Sequence, residues 1–306
     1  MIRPESVGAS RGRGRVVLEL HRHRLYLLCL PAFVLFAVFE FYPLLQGVRL
    51  SFTDWNGFSQ TYRYVGLDNY VRLFQDTRVA TALRNTLIYG LAGAAVQNVW
   101  GLLYALLLNQ KFPGRGWVRA VIYLPVLVSG LILGYIWYFL MQYDGGALND
   151  ALELFGGTPV DWLAEGPRAV GLILFISSMQ YVGQAMVIYL AGLQSIPTAY
   201  YEAAAIDGAT LWRRFVHITL PLLAPAILST VILKLIGGLQ LFDVIMALTN
   251  GGPGFSSHSI PTLINYLYFG NQNAGYSASL GIALFVLILS ITLFTNRMAW
   301  RKGEET

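Results

Sequence analysis

The chain has 306 residues, 56% hydrophobic and only 12% charged, with a formal net charge of +5 and a mean hydropathy of +0.54. A soluble domain carries about 25% charged residues, so this chain lacks the charge to cover a wet surface and reads as a polytopic membrane protein. Its basic residues are spread beside apolar runs, which excludes a nucleic-acid patch. The single cysteine, Cys29, excludes an internal disulfide and reads as a packing residue within an apolar run.

Residues 1–24 form a basic cytoplasmic tail with Arg3, Arg11, Arg13, Arg15, Arg22 and Arg24, expected to be disordered as far as Gly14. The first apolar run, 25–45, is longer than the roughly 7–15 residues of a signal core, and no small-x-small cleavage site follows, so it is expected to span the membrane. After a polar stretch (49–81) come apolar runs at 85–108, 118–140, 169–193, 221–245 and 277–295. Each reaches the ~20 residues that cross a ~30 Å hydrocarbon core as a helix. The expected fold is all-α, a domain of six transmembrane helices over 25–306.

Basic residues set the expected orientation. With the N-terminus inside, the inner segments hold the six tail arginines and Lys111, Arg115, Arg119, Arg213, Arg214, Arg297, Arg301 and Lys302. The outer segments hold Arg49, Arg63, Arg72, Arg78, Arg84 and Arg168, so the count is fourteen against six. Both termini and the segment 194–220 are therefore expected in the cytoplasm.

Polar side chains inside a span are costly and face a bundle interior or a wet path. In the fourth span Ser177, Gln180, Tyr181 and Gln184 recur at i, i+3, i+4, i+7, on one helix face. Amides and a tyrosine ring can hydrogen-bond to and stack on a sugar; the alternative is a polar seam between helices. The fifth span carries Lys234, with Gly238 one turn later and Gln240 and Asp243 beyond. Lys234 either lines the path or pairs with Glu40 of the first span. Gln97 and Asn98 read as helix contacts. The turn-rich 248–254, LTNGGPG, is either a surface loop or a closure for the outer end of the path.

Between the fourth and fifth runs lies the polar stretch 200–225. Pro197 and Thr198 suit a helix start, 201–206 is a good helix former, and Asp207-Gly208 breaks it. Thr210 can cap a second short helix, on which Leu211, Phe215 and Ile218 fall on one side, and Pro221 suits the first turn of the helix that follows. The shape is a docking element rooted in a membrane. No G-x-x-x-x-G-K-[ST] phosphate loop occurs, the four histidines have no metal-ligand spacing, and no nucleophile has a histidine and carboxylate beside it. Neither an enzyme nor a self-sufficient ATPase has positive support.

This stretch resembles the EAA loop of permease subunits of binding-protein-dependent ABC importers: E-A-A, three residues, G, nine residues, I-x-L-P. Glu202, Ala203, Ala204, Gly208, Ile218, Leu220 and Pro221 match every fixed place, with Asp207 before the glycine. Phe41-Tyr42-Pro43-Leu44, Gly66-Leu67-Asp68-Asn69-Tyr70, Asn85-Thr86, Leu106-Leu107-Leu108-Asn109, Leu124-Pro125 and Leu248-Thr249-Asn250-Gly251-Gly252-Pro253 are similar to maltose- and glycerol-3-phosphate-type sugar permeases. The resemblance implies a type I importer domain in a bacterial inner membrane, with a coupling loop at about 195–221. It implies a heterodimer with a second permease, two ATPase subunits that bind the ATP and magnesium, and an extracytoplasmic solute-binding protein that delivers the sugar. Counted from Glu202, the sugar contacts of maltose-type relatives fall on Ser177, Gln180, Tyr181, Gln184, Lys234 and Gly238. Lys234 departs from the small polar residue expected there, which points away from maltose to another sugar or an acidic one.

Overall fold

The computed structural model describes residues 29–303, so the basic tail and the start of the first predicted span lie outside the described residues. Helix α1 (Cys29–Leu50) is followed by an irregular segment, α2 (Asp68–Gln75) and α3 (Thr77–Asn109). Then come α4 (Arg115–Leu127), α5 (Gly130–Leu140), α6 (Ala147–Leu154) and α7 (Gly166–Ser195). After the loop helices α8 (Thr198–Ile206) and α9 (211–222), the chain forms α10 (Ala224–Leu239), α11 (Asp243–Leu248), α12 (Ile260–Asn265) and α13 (Ala274–Gly303). No strand occurs among the described residues, only a bridge between Thr53 and Tyr64.

The bundle has α3, α7 and α10 at its centre, with α13 against α10 and α1 on the outside of α13. Close approach depends on small residues, as it does where lipid offers no hydrophobic drive between helices. A β-carbon on Gly101 of α3 would sit 2.6 Å from Ala185 Cβ of α7, and one on Gly192 would sit 2.7 Å from Leu223 at the foot of α10. Around these contacts Ala105, Met186, Tyr189, Leu193 and Leu223 form one buried cluster at the α8–α9 end. Tyr89, Ile173, Ile176, Val244 and Ile245 form another towards the opposite end.

Five helices are long and apolar enough to span, and a sixth span is broken. The run 118–140 is not one helix: α4 and α5 meet at 97°. Pro125 lies in a short 3-10 turn, and Val128 is extended (φ −86°, ψ 135°), which strands a carbonyl inside the protein. Gln180 of α7 answers it, its Nε2 donating to Val128 O at 2.9 Å. The bend turns α5 onto α11, where a β-carbon on Gly134 would lie 2.6 Å from Ala247 Cβ. Periodicity sees only that all these residues are apolar, so the break was invisible to it.

The fifth run also differs in detail. Pro221 belongs to the last turn of α9, and it is Pro225 that occupies the first turn of α10. The turn tip at Asn250, Pro253 and Gly254 is exposed, while 256–259 is folded into the protein. Asn85 Nδ2 donates to Ser256 O (2.7 Å) and His258 O (3.0 Å), Tyr89 donates to Ser257 O, and the Thr86 hydroxyl accepts from Ile260 N at 2.8 Å. A second buried hub, Asn149, serves the segment between α5 and α7, bonding Tyr143 O, both polar groups of the Val160 backbone, and Trp162 Nε1.

Candidate functional site: a polar cavity and an exposed helical loop

The face of α7 predicted from spacing meets α3 and α10 around a cavity of ≈390 Å³, within the few hundred Å³ typical of small-molecule sites. Ser177, Tyr181 and Gln184 line it from α7, Lys234 and Gly238 from α10. Lys234 is buried, and its Nζ donates to Gln184 Oε1 at 2.7 Å and to Tyr181 O at 2.9 Å. The ammonium also stands 5.6 Å from the centre of the Tyr181 ring, within cation–π range. Glu40 is not its partner: that residue is exposed on α1.

Two of the predicted positions do different work from the rest. Gln180 is buried and absent from the cavity wall, its Nε2 being committed to the broken span. Gly238 lines the cavity but also sits where α10 crosses α3, because any β-carbon there would lie 2.5 Å from Tyr89 O. Conversely, Gln97 is no mere helix contact; it lines the cavity, as do Tyr89, Gln240 and Asp243. Gln97 carries the same amide signal as Gln184, but no other amide stands three, four or seven residues from it on α3 to mark its face. Asn98 is a helix contact, since Tyr189 donates to it from α7.

The α8–α9 loop directly joins the two helices that hold the cavity. Gly208 adopts φ +72°, with its N–H on Ala205 O (3.1 Å) and the Ala209 N–H on Ala204 O (2.9 Å). This is a helix-ending pattern that needs a left-handed residue at the glycine. Thr210 caps α9, its side chain accepting from Arg213 N. Tyr201 and Thr219 hydroxyls meet at 3.0 Å and close the pair of helices. Glu202, Ala203 and Asp207 are exposed, and the loop presents Ile206, Leu211 and Trp212 to the outside at 88%, 82% and 71%. Leu211 thus does not share the half-buried side of Phe215 and Ile218, where the helix changes to a π-turn over Phe215–Thr219.

A broken-span helical bundle with a polar cavity at its centre, and a structured loop projecting from the two helices around that cavity, defines a membrane transport subunit. The chain belongs to the family of binding-protein-dependent transport system inner membrane components, whose profile matches residues 97–302. It is 34% identical to the trehalose/maltose transport system permease protein MalF of Thermococcus litoralis, over 88% of this chain and 90% of that protein. It is 35% identical to the multiple sugar-binding transport system permease protein MsmF of Streptococcus mutans, over 87% and 91%. Its fold matches a chain of a bacterial alginate ABC transporter solved in complex with an alginate pentasaccharide-bound periplasmic protein. That match has a TM-score of 0.80 and 28% identity, covering 94% of this chain and 98% of the other.

Proposed function

We propose that this chain is the permease subunit of an ATP-driven sugar importer, with substrate passing through the α3–α7–α10 cavity. The observation that carries this is the cavity wall. Gln97, Ser177, Tyr181 and Gln184 bring amides, a hydroxyl and an aromatic ring to one space inside an apolar bundle, a set suited to sugar hydroxyls and ring faces. Relatives whose names are those of sugar transport permeases support the reading.

The energy source is a partner. Ile206, Leu211 and Trp212 project from the α8–α9 loop as an apolar surface, and such a surface beside charged residues marks a docking site. ATPase subunits dock here, and the positive-inside count puts this loop and both termini in the cytoplasm. Glu202, Ala203, Ala204, Asp207 and Gly208 form the contact, with Ile218, Leu220 and Pro221 leading into α10. A second permease covers the exposed face of α1, where the Glu40 carboxylate stands mid-helix among exposed Phe36, Phe39 and Phe41, an arrangement lipid alone does not satisfy. An extracytoplasmic binding protein delivers the sugar at the opposite end.

Reconstitution tests this directly. Proteoliposomes holding this chain, its partner permease, the ATPases and the binding protein accumulate sugar only with ATP. Accumulation by this chain alone, without ATP, would overturn the proposal.

A further inference from the structure

Resting on the sugar-importer reading above, we infer that the cavity selects acidic saccharides, those whose ring carries a carboxylate or another anionic substituent, and that Lys234 selects them. Lys234 is 3% exposed within a spanning helix. The groups around its ammonium are neutral: an amide oxygen, a backbone carbonyl and a tyrosine ring. Among the described residues no carboxylate forms an ion pair with it. Two of its N–H bonds are used, and an ammonium has three. A buried cation held only by neutral dipoles is costly for the empty protein; an anionic ligand in the same cavity offsets that cost only when it binds.

Asp243 also lines the cavity, with the opposite sign. It is exposed on this chain and forms no ion pair with the ammonium among the described residues, whereas Lys234 is buried at the cavity wall. The cation is the more enclosed of the two charges, so an anionic group that enters beside Gln184 and Tyr181 meets Lys234 first. A purely structural strut between α7 and α10 is a poor account of this lysine. Its acceptors are neutral and need no charge, and the two helices already interlock at Gly192 and Leu223. The Gln97 amide on the facing helix is left for sugar hydroxyls.

The test offers the complete transporter, in proteoliposomes with its binding protein, a mixed pool of neutral and uronate-bearing di- to tetrasaccharides. Vesicle contents are then read by mass spectrometry with and without ATP. Acidic saccharides are expected to accumulate with ATP, Lys234→Gln to cut that accumulation about tenfold, and Lys234→Arg to keep most of it. ATP-dependent accumulation of neutral sugars alone overturns the inference while leaving the importer reading intact, as does acidic uptake indifferent to Lys234→Gln. No ATP-dependent accumulation of any saccharide overturns the importer reading, and this inference with it. If Lys234→Gln fails to assemble, Lys234→Met is read in its place, and acidic uptake that this variant leaves unchanged overturns the inference.

Discussion

Lys234 of α10 donates to Gln184 of α7 at 2.7 Å, fifty residues away in the chain. The contact links the two helices that lead into and out of the α8–α9 loop, at the level of the cavity. A movement of the loop that alters the spacing of α7 and α10 must therefore alter this hydrogen bond. That geometry ties the exposed α8–α9 loop to the cavity without any long relay.

Gln184 and Gln180 lie one turn apart yet should respond differently to truncation. Gln184→Ala removes a cavity wall group and one partner of Lys234; water entering the cavity can take the place of the lost acceptor, so uptake should fall with only a modest loss of thermal stability. Gln180→Ala strands the Val128 carbonyl; an unsatisfied buried group costs about 1–3 kcal/mol. The Tm of the detergent-solubilised complex should drop more for Gln180→Ala than for Gln184→Ala, and the reverse order would make Gln180 a path residue.

Gly238 and Gly237 offer a matched pair. Gly238→Ala would place a β-carbon 2.5 Å from the Tyr89 carbonyl, whereas one at Gly237 meets nothing within 4 Å. Gly238→Ala should push α10 off α3 and cost roughly 1–3 kcal/mol. Gly237→Ala should stabilise the helix by about 0.5–1 kcal/mol. Thermal unfolding of the two variants checks the sign of each.

Gly208→Asp replaces the left-handed residue between α8 and α9 and distorts the docking surface without touching the bundle. The variant should insert and hold its partner permease normally but lose co-purification of the ATPase subunits and ATP-driven uptake. Retention of both at normal levels would remove the loop from the coupling role.

His258 is buried in the loop after α11, against Phe255 and with Nδ1 on the Thr262 hydroxyl at 2.9 Å. Burial pushes its pKa below the usual histidine value. The unfolded chain therefore takes up a proton at a higher pH than the folded one does, and stability is lost as pH falls below about 6.5. His258→Gln should flatten that acid limb of the Tm–pH curve, measured between about pH 7 and pH 5; an unchanged slope would place the titration elsewhere.

Much of this protein is legible in its chain because lipid imposes simple rules. Apolar runs of the required length marked the spans, and the fixed places from Glu202 to Pro221 marked the loop. The i, i+3, i+4, i+7 spacing correctly put Ser177, Tyr181 and Gln184 on a shared face. Spacing could not separate Gln180 from its neighbours, since its destination is a carbonyl fifty-two residues away. It could not find Gln97, which has no amide at helical spacing on α3, nor choose between Glu40 and the cavity for Lys234. It also took the bent pair α4–α5 for one helix.

The membrane class, most of the spans and the helical loop between the fourth and fifth runs follow from the chain alone, because they depend on local composition and on backbone groups that must be satisfied along one segment. Tertiary structure decided where each polar side chain goes. A buried amide or ammonium takes whichever partner the packing of another helix delivers, and that packing is set by small residues such as Gly90, Gly134 and Gly238 meeting across the bundle.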